Sequence, residues 1–153
     1  AYDVMGRVQL EQGRFTDALE TFRLACDITP GSIARLQKQG LLAFYMGQPE
    51  EAAKALERAV TVGTTSKMFD PQTHVMLGFI RFVQRDDKGL QRCQDDLARQ
   101  LERSPDSGRI ARFAETLRVL RLVREQKLPT VSALDGCRTT RIPAWALRGE
   151  TAA

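Results

Sequence analysis

A 34-residue echo in the first half of the chain constrains its fold more than any other feature. Gly6 recurs as Gly40, Gly13 as Gly47, Ala18 as Ala52, Phe22 as Leu56, and Ala25 as Ala59, each pair 34 residues apart. Five small or apolar positions held in one register are hard to produce by chance. A fixed period in this range marks a helical repeat, whose units cannot bury their apolar faces alone and must stack on neighbours. The expectation is an all-α fold of helix-turn-helix units that present a surface to a partner.

The residues behind the echo carry a family resemblance. The first unit reads Tyr2, Met5, Gly6, Gly13, Phe15, Ala18, Phe22, Ala25 and Pro30; the second reads Leu36, Gly40, Gly47, Ala52, Leu56 and Ala59. This pattern resembles the tetratricopeptide repeat (TPR) family, in which each unit is a helix A, a turn and a helix B. The resemblance places Gly6 and Ala18 on facing sides of one helix pair, with Phe22 filling the gap between units. Phe22 and Ala25, three apart, share a helix face. Gly13 falls at the turn, where a positive φ costs glycine little, and Pro30 cannot continue helix B.

The third unit departs from the pattern. Leu77-Gly78 fits helix A, but Gly78 follows Gly40 by 38 residues, so four residues are inserted within 63–70. Asp70-Pro71 reads as a helix start, with Asp as N-cap and Pro at the first helical position. Leu90, Cys93, Leu97 and Leu101 keep one apolar stripe on helix B. The expected architecture is a TPR-like helical solenoid of about three units with a long C-terminal capping helix. Its domain covers 1–126, with repeats near 1–32, 33–66 and 71–104 and the cap at 107–126. A tail over 127–153 follows.

Composition fits one all-α domain of 153 residues, 42% hydrophobic. No apolar run approaches the roughly 18–20 residues that span a bilayer, and the reading is cytoplasmic. Ala1 falls inside helix A without an initiator methionine, which suits a piece of a longer protein. Cys26, Cys93 and Cys137 are too widely spaced for a metal cluster; the first two read as core residues and a reduced setting fits them. His74 is the sole histidine and reads as packed or surface rather than a ligand. There is no phosphate loop, nucleophile elbow or HExxH motif, and Asp86-Asp87 and Asp95-Asp96 are neighbours that point apart on a helix. Asp86-Asp87 reads instead as a cap. The expectation is a non-enzyme with no cofactor, no metal and no small-molecule substrate.

The resemblance implies that the A helices line a concave groove. Carried over by position, the groove residues are Asp3, Arg7 and Leu10, then Gln37, Leu41, Phe44 and Tyr45, then Gln72, Val75, Phe79, Phe82 and Val83. The core of this partner-binding set is Arg7, Gln37, Leu41, Phe44, Tyr45, Val75, Phe79 and Phe82. The groove is expected to begin polar and become aromatic towards its C-terminal end, suited to a peptide or amphipathic helix. A carboxylate clamp of the chaperone-binding type is disfavoured: the aligned positions are Asp3, Arg7, Lys38, Gln72 and Met76, and Asp3 would repel an acidic ligand. The aromatics have a second reading, as a face covered by the chain's own C-terminal segment.

The C-terminal third raises two further points. The helix over 107–126 should bury Ile110, Phe113, Leu117, Leu120 and Val123, with Val119 and Leu122 lying off that stripe. A second cover is then needed: either the tail, which carries Trp145, or another subunit in a homodimer. Arg109, Arg112, Arg118, Arg121, Arg124 and Lys127 supply much of the +4 net charge. They rotate around the helix, so a solvated face is favoured over nucleic-acid binding. Finally, the stretch 27–40 and the Ala59-Val-Thr-Val-Gly63 that follows are similar to TPR segments of bacterial response regulators. That resemblance implies a scaffold or output part of a signalling protein. Alternatives are a chaperone-like TPR of a secretion or pilus system, and a nucleic-acid-binding output through the basic C-terminal third.

Overall fold

In the computed structural model the described residues, 1–125, are all-α. They form α1 (Tyr2–Glu11), α2 (Phe15–Ile28), α3 (Ile33–Tyr45), α4 (Pro49–Thr65), α5 (Pro71–Val83), α6 (Asp87–Arg103) and α7 (Gly108–Arg124). The chain divides into two compact units, the first covering Ala1–Asp70 and the second beginning at Pro71. In the first, α1 packs on α2, α2 on α3, and α3 on α4; in the second, α5 packs on α6 and α7 packs on both. The readings that fall on Leu128-Pro129, Cys137 and Trp145 lie outside the described residues.

The repeat register is visible in the turns. Four helices end in the same pair of hydrogen bonds, in which two successive amides fold back onto the carbonyls of the last turn. Arg14 N donates to Gln9 O at 2.8 Å and Gly13 N to Leu10 O at 3.0 Å. Gln48 and Gly47 repeat this on Ala43 and Phe44, Met68 and Lys67 on Gly63 and Thr64, and Asp86 and Arg85 on Arg81 and Phe82. Each motif needs one left-handed residue. Gly13 and Gly47 supply it at φ 74° and 75°, whereas Lys67 and Arg85 hold φ 57° and 58° despite carrying a Cβ.

The four inserted residues have a definite location. α2 runs 14 residues and α4 runs 17, so three of them extend the second B helix. The fourth lengthens the link that follows, from 29–32 to 66–70. From there the 38-residue offset is held: Ile33 and Pro71 open α3 and α5, and Pro49 and Asp87 open α4 and α6.

Caps and core follow from residue type. Ser32 accepts from Arg35 N, Asp86 from Gly89 N at 2.9 Å, and Ser107 from Ile110 N, which satisfies amides that a helix start leaves open. The first unit is centred on Ala18, Leu19, Phe22, Ala25, Leu36, Ala52 and Leu56; the second on Phe82, Leu90, Leu97, Leu117, Val119 and Leu120. Phe22 crowds Gly6 most closely, 2.5 Å from where a methyl group on Gly6 would sit. At Gly40 the same role falls to Leu56, with Ala52 O close behind.

Val119 corrects the reading of α7. Off the main stripe as expected, it is nevertheless buried with Leu117 and Leu120 in a helix that packs on α5 and α6, while Phe113, Leu122 and Val123 are half-buried. A helix gripped by two others needs two apolar faces, and α7 packs on both α5 and α6.

Candidate functional site: a groove in the first unit

A groove of about 910 Å³ opens in the first unit between α1 and α3. Asp3, Val4, Arg7 and Leu10 line it from α1; Lys38, Leu41, Leu42 and Tyr45 line it from α3, with Met46 just beyond; Phe15 and Phe22 of α2 complete it. On α3 these positions are spaced 0, 3, 4 and 7, one face of a helix. Four exposed apolar side chains meet there: Val4, Phe15, Leu41 and Tyr45 are each 43% exposed or more, and all four line this one groove. Apolar side chains gathered around a concave opening in this way mark a contact site.

The charged lining is arranged with more order. Asp3 Oδ2 accepts from Arg35 Nε at 3.0 Å and Nη2 at 2.8 Å, and its Oδ1 accepts from Lys38 Nζ at 3.2 Å. These hydrogen bonds, first from Arg35 and then from Lys38, hold the Asp3 carboxyl below the usual carboxylate range. Arg35 also donates to Ala25 O at 3.1 Å and Thr29 Oγ1 at 2.7 Å, so one guanidinium ties α1, α2 and α3 together. A second tie holds α2 to α4: Arg23 donates to Glu51 from Nε at 2.7 Å and from Nη2 at 2.5 Å. Arg23 pulls the Glu51 carboxyl down in turn. Thr21 adds a bond to Gln9 at 2.7 Å between α2 and α1.

The positions carried over from the family divide into two groups. Asp3, Arg7, Leu10, Leu41 and Tyr45 come together at the groove. Gln37 is turned to Asp70, to which its amide donates. Phe44 is buried with its ring 6.3 Å from that of Tyr45. Val75, Phe79 and Phe82 are buried, because α5 is packed against α6 and α7 together. The expected gradient is therefore reversed: the accessible apolar side chains are in the first unit, and the aromatics of α5 are interior. Val4, Phe15, Leu42 and Met46 were not anticipated at the groove. The helical spacing of Lys38, Leu41, Leu42 and Tyr45 was the signal that could have found α3's share.

Other chemistry-bearing groups are placed in the core. Burial pushes the Cys93 thiol up to about 12 and raises that of Cys26 as well, so neither has nucleophile character near neutral pH. His74 is buried, with Nε2 3.7 Å from Asp96 Oδ2. Among the described residues no group of three His, Cys, Asp or Glu is placed to hold a metal ion. No helix among them is long and apolar enough to cross a membrane.

Comparison with known proteins bears on the first helix pair. Residues 5–33 match the tetratricopeptide repeat family model. No curated protein and no solved structure matches the chain significantly. The matched segment covers α1 from Met5 onward, the turn at Gly13 and α2, and so includes Arg7, Leu10, Phe15 and Phe22 of the groove lining but not Asp3 or Val4. On this evidence residues 5–33 are a tetratricopeptide repeat, a unit that implies protein partners.

Proposed function

We propose that this chain is a non-catalytic protein-interaction module that takes a peptide or amphipathic helix in the groove between α1 and α3. The observation that carries this reading is the gathering of Val4, Phe15, Leu41 and Tyr45, all exposed, around a single opening of about 910 Å³. An amphipathic helix lays its apolar face into such a groove and is read through anchors one and two turns apart. Leu41 and Tyr45, four apart on α3, offer that kind of contact. The wider setting we read for the module is the scaffold or output part of a bacterial signalling protein in the cytoplasm, supported by the likeness of the stretch 27–40 to response-regulator TPR segments.

The nucleic-acid alternative loses weight from the engagement of four of the five α7 arginines. Arg109 donates to Gln72, Arg118 pairs with Glu115, Arg121 donates to Gln94 and Glu125, and Arg124 donates to Phe82 O. Cations already engaged within the fold have less to offer phosphates.

Panning a displayed library of random 15-residue peptides on the immobilised chain tests the proposal. Apolar, helix-compatible sequences should be enriched, and the double variant Leu41→Ala/Tyr45→Ala should fail to retain them while keeping its helical circular dichroism. Absence of enrichment, or retention indifferent to both substitutions, would sink the reading.

A further inference from the structure

We infer that the occupant of the α1–α3 groove carries an acidic side chain, Asp or Glu, set among its apolar residues, and that Arg7 receives it. This rests on the groove reading above and adds the chemistry of the partner. Three charged side chains line the opening: Asp3, Arg7 and Lys38. The carboxylate of Asp3 is already shared between Arg35 and Lys38, one oxygen to each. Asp3 is thus neutralised within the fold, which removes the repulsion it was expected to exert on an acidic ligand. Arg7 is exposed and makes no hydrogen bond or ion pair among the described residues. The groove therefore presents apolar surface beside one uncompensated guanidinium, with Lys38 on the opposite wall adding further positive charge. A guanidinium offers a planar fork of donors that a carboxylate fills with two parallel bonds. Complementarity of this kind sets partner choice and register more than bulk affinity. The chain's own segment 127–153 is a poor match, since it carries Lys127, Arg138, Arg141 and Arg148 against Asp135 and Glu150.

The test uses the full chain and peptides from the panning experiment, displayed through their C-terminus so that side chains are their chief acids. Enriched sequences should hold an Asp or Glu at a fixed offset from the apolar anchors. Changing that acid to its amide, or Arg7→Glu in the protein, should weaken binding about tenfold. An acid-to-lysine peptide should recover affinity for the Arg7→Glu protein. Apolar peptides with no acid preference, still dependent on Leu41 and Tyr45, would overturn this inference and leave the groove reading standing. Loss of all dependence on Leu41 and Tyr45 would overturn both. Self-association abolished by Tyr45→Ala would place a second copy in the groove, and a rise in peptide affinity on deleting 127–153 would place that segment there; either result would overturn the inference.

Discussion

A methyl group on Gly78 would lie 2.5 Å from Cδ2 of Leu117, so α7 rests directly on the backbone of α5. In the first two units the repeat glycine meets a side chain of its own B helix, Phe22 for Gly6 and Leu56 for Gly40. The corresponding place on α6, one 38-residue offset beyond Leu56, is Gln94. That residue instead accepts from Arg121 Nη1 at 2.9 Å. Leu117, one turn before Arg121, fills the space that the B helix has given up.

Gly78→Ala should therefore destabilise the protein despite alanine's better helix propensity. Propensity returns about 1 kcal/mol, while overpacking a closed site costs about 1–3 kcal/mol. Leu117 is fully buried, so its side chain can yield only by displacing packed neighbours. Urea unfolding should show a net loss of roughly 1 kcal/mol, and the cost should shrink when Gly78→Ala is made in a Leu117→Ala background. Additive effects in that cycle would show that the two residues do not meet.

The left-handed turns give a test with little packing in it. A methyl group on Gly13 meets nothing within 4 Å, so Gly13→Ala should cost about 1 kcal/mol through backbone strain alone. Arg85 occupies the equivalent turn in the third repeat and is exposed at φ 58°. Arg85→Gly should raise the denaturation midpoint by an amount equivalent to about 0.5–1 kcal/mol. A fall in the midpoint would mean that the Arg85 side chain contributes more than its strain.

Arg124 closes the end of the second unit in a way lysine cannot copy. Its guanidinium lies 4.4 Å from the centre of the Phe82 ring and donates to Phe82 O, with Asp87 Oδ1 3.5 Å from Nε. Lysine keeps the charge but loses the plane and the fork. Arg124→Lys should cost about 1–2 kcal/mol in thermal or urea unfolding. A neutral result would mean that charge alone suffices there.

Acid should weaken the fold through specific carboxylates. Hydrogen bonds from Arg35 and Lys38 lower Asp3, those from Arg23 and Gln39 lower Glu51, and that from Arg118 lowers Glu115. A group lowered in the folded state binds fewer protons there than in the unfolded chain. Its contribution is present above the ordinary carboxylate values, 3.8 for Asp and 4.5 for Glu, and is lost as pH falls through the folded value. Stability measured by urea titration should decline below about pH 4.5, and Glu51→Gln should flatten that decline. An unchanged slope would show that Glu51 gains nothing from Arg23.

Burial separates the two sets of groove candidates. Leu41→Ala and Tyr45→Ala should change stability by no more than about 0.5 kcal/mol, as exposed positions do. Phe82→Ala, at 1% exposure, should cost about 3–5 kcal/mol. Equal effects at Tyr45 and Phe82 would contradict this division of surface from core.

Helical class, the register of the repeats and most of the punctuation could be read from residue order alone. These are local: a period of 34 residues, a glycine where φ must be positive, a serine or aspartate where helix amides need an acceptor. The 38-residue step was legible too, although not the way it divides between a longer α4 and a longer link. Part of the groove was within reach, since Asp3, Arg7, Leu10, Leu41 and Tyr45 are positions that the family resemblance implies and that line it. Which apolar faces stay open depends on how the helices pack on one another. Phe79 and Phe82 read like groove residues because a helix pattern reports that a face is apolar and does not report how many neighbours cover it. α5 has two such neighbours in its own unit, and the face that looked available is core. The neutralisation of Asp3 was equally out of reach, because it depends on Arg35 and Lys38, 32 and 35 residues away in sequence, arriving at one carboxylate.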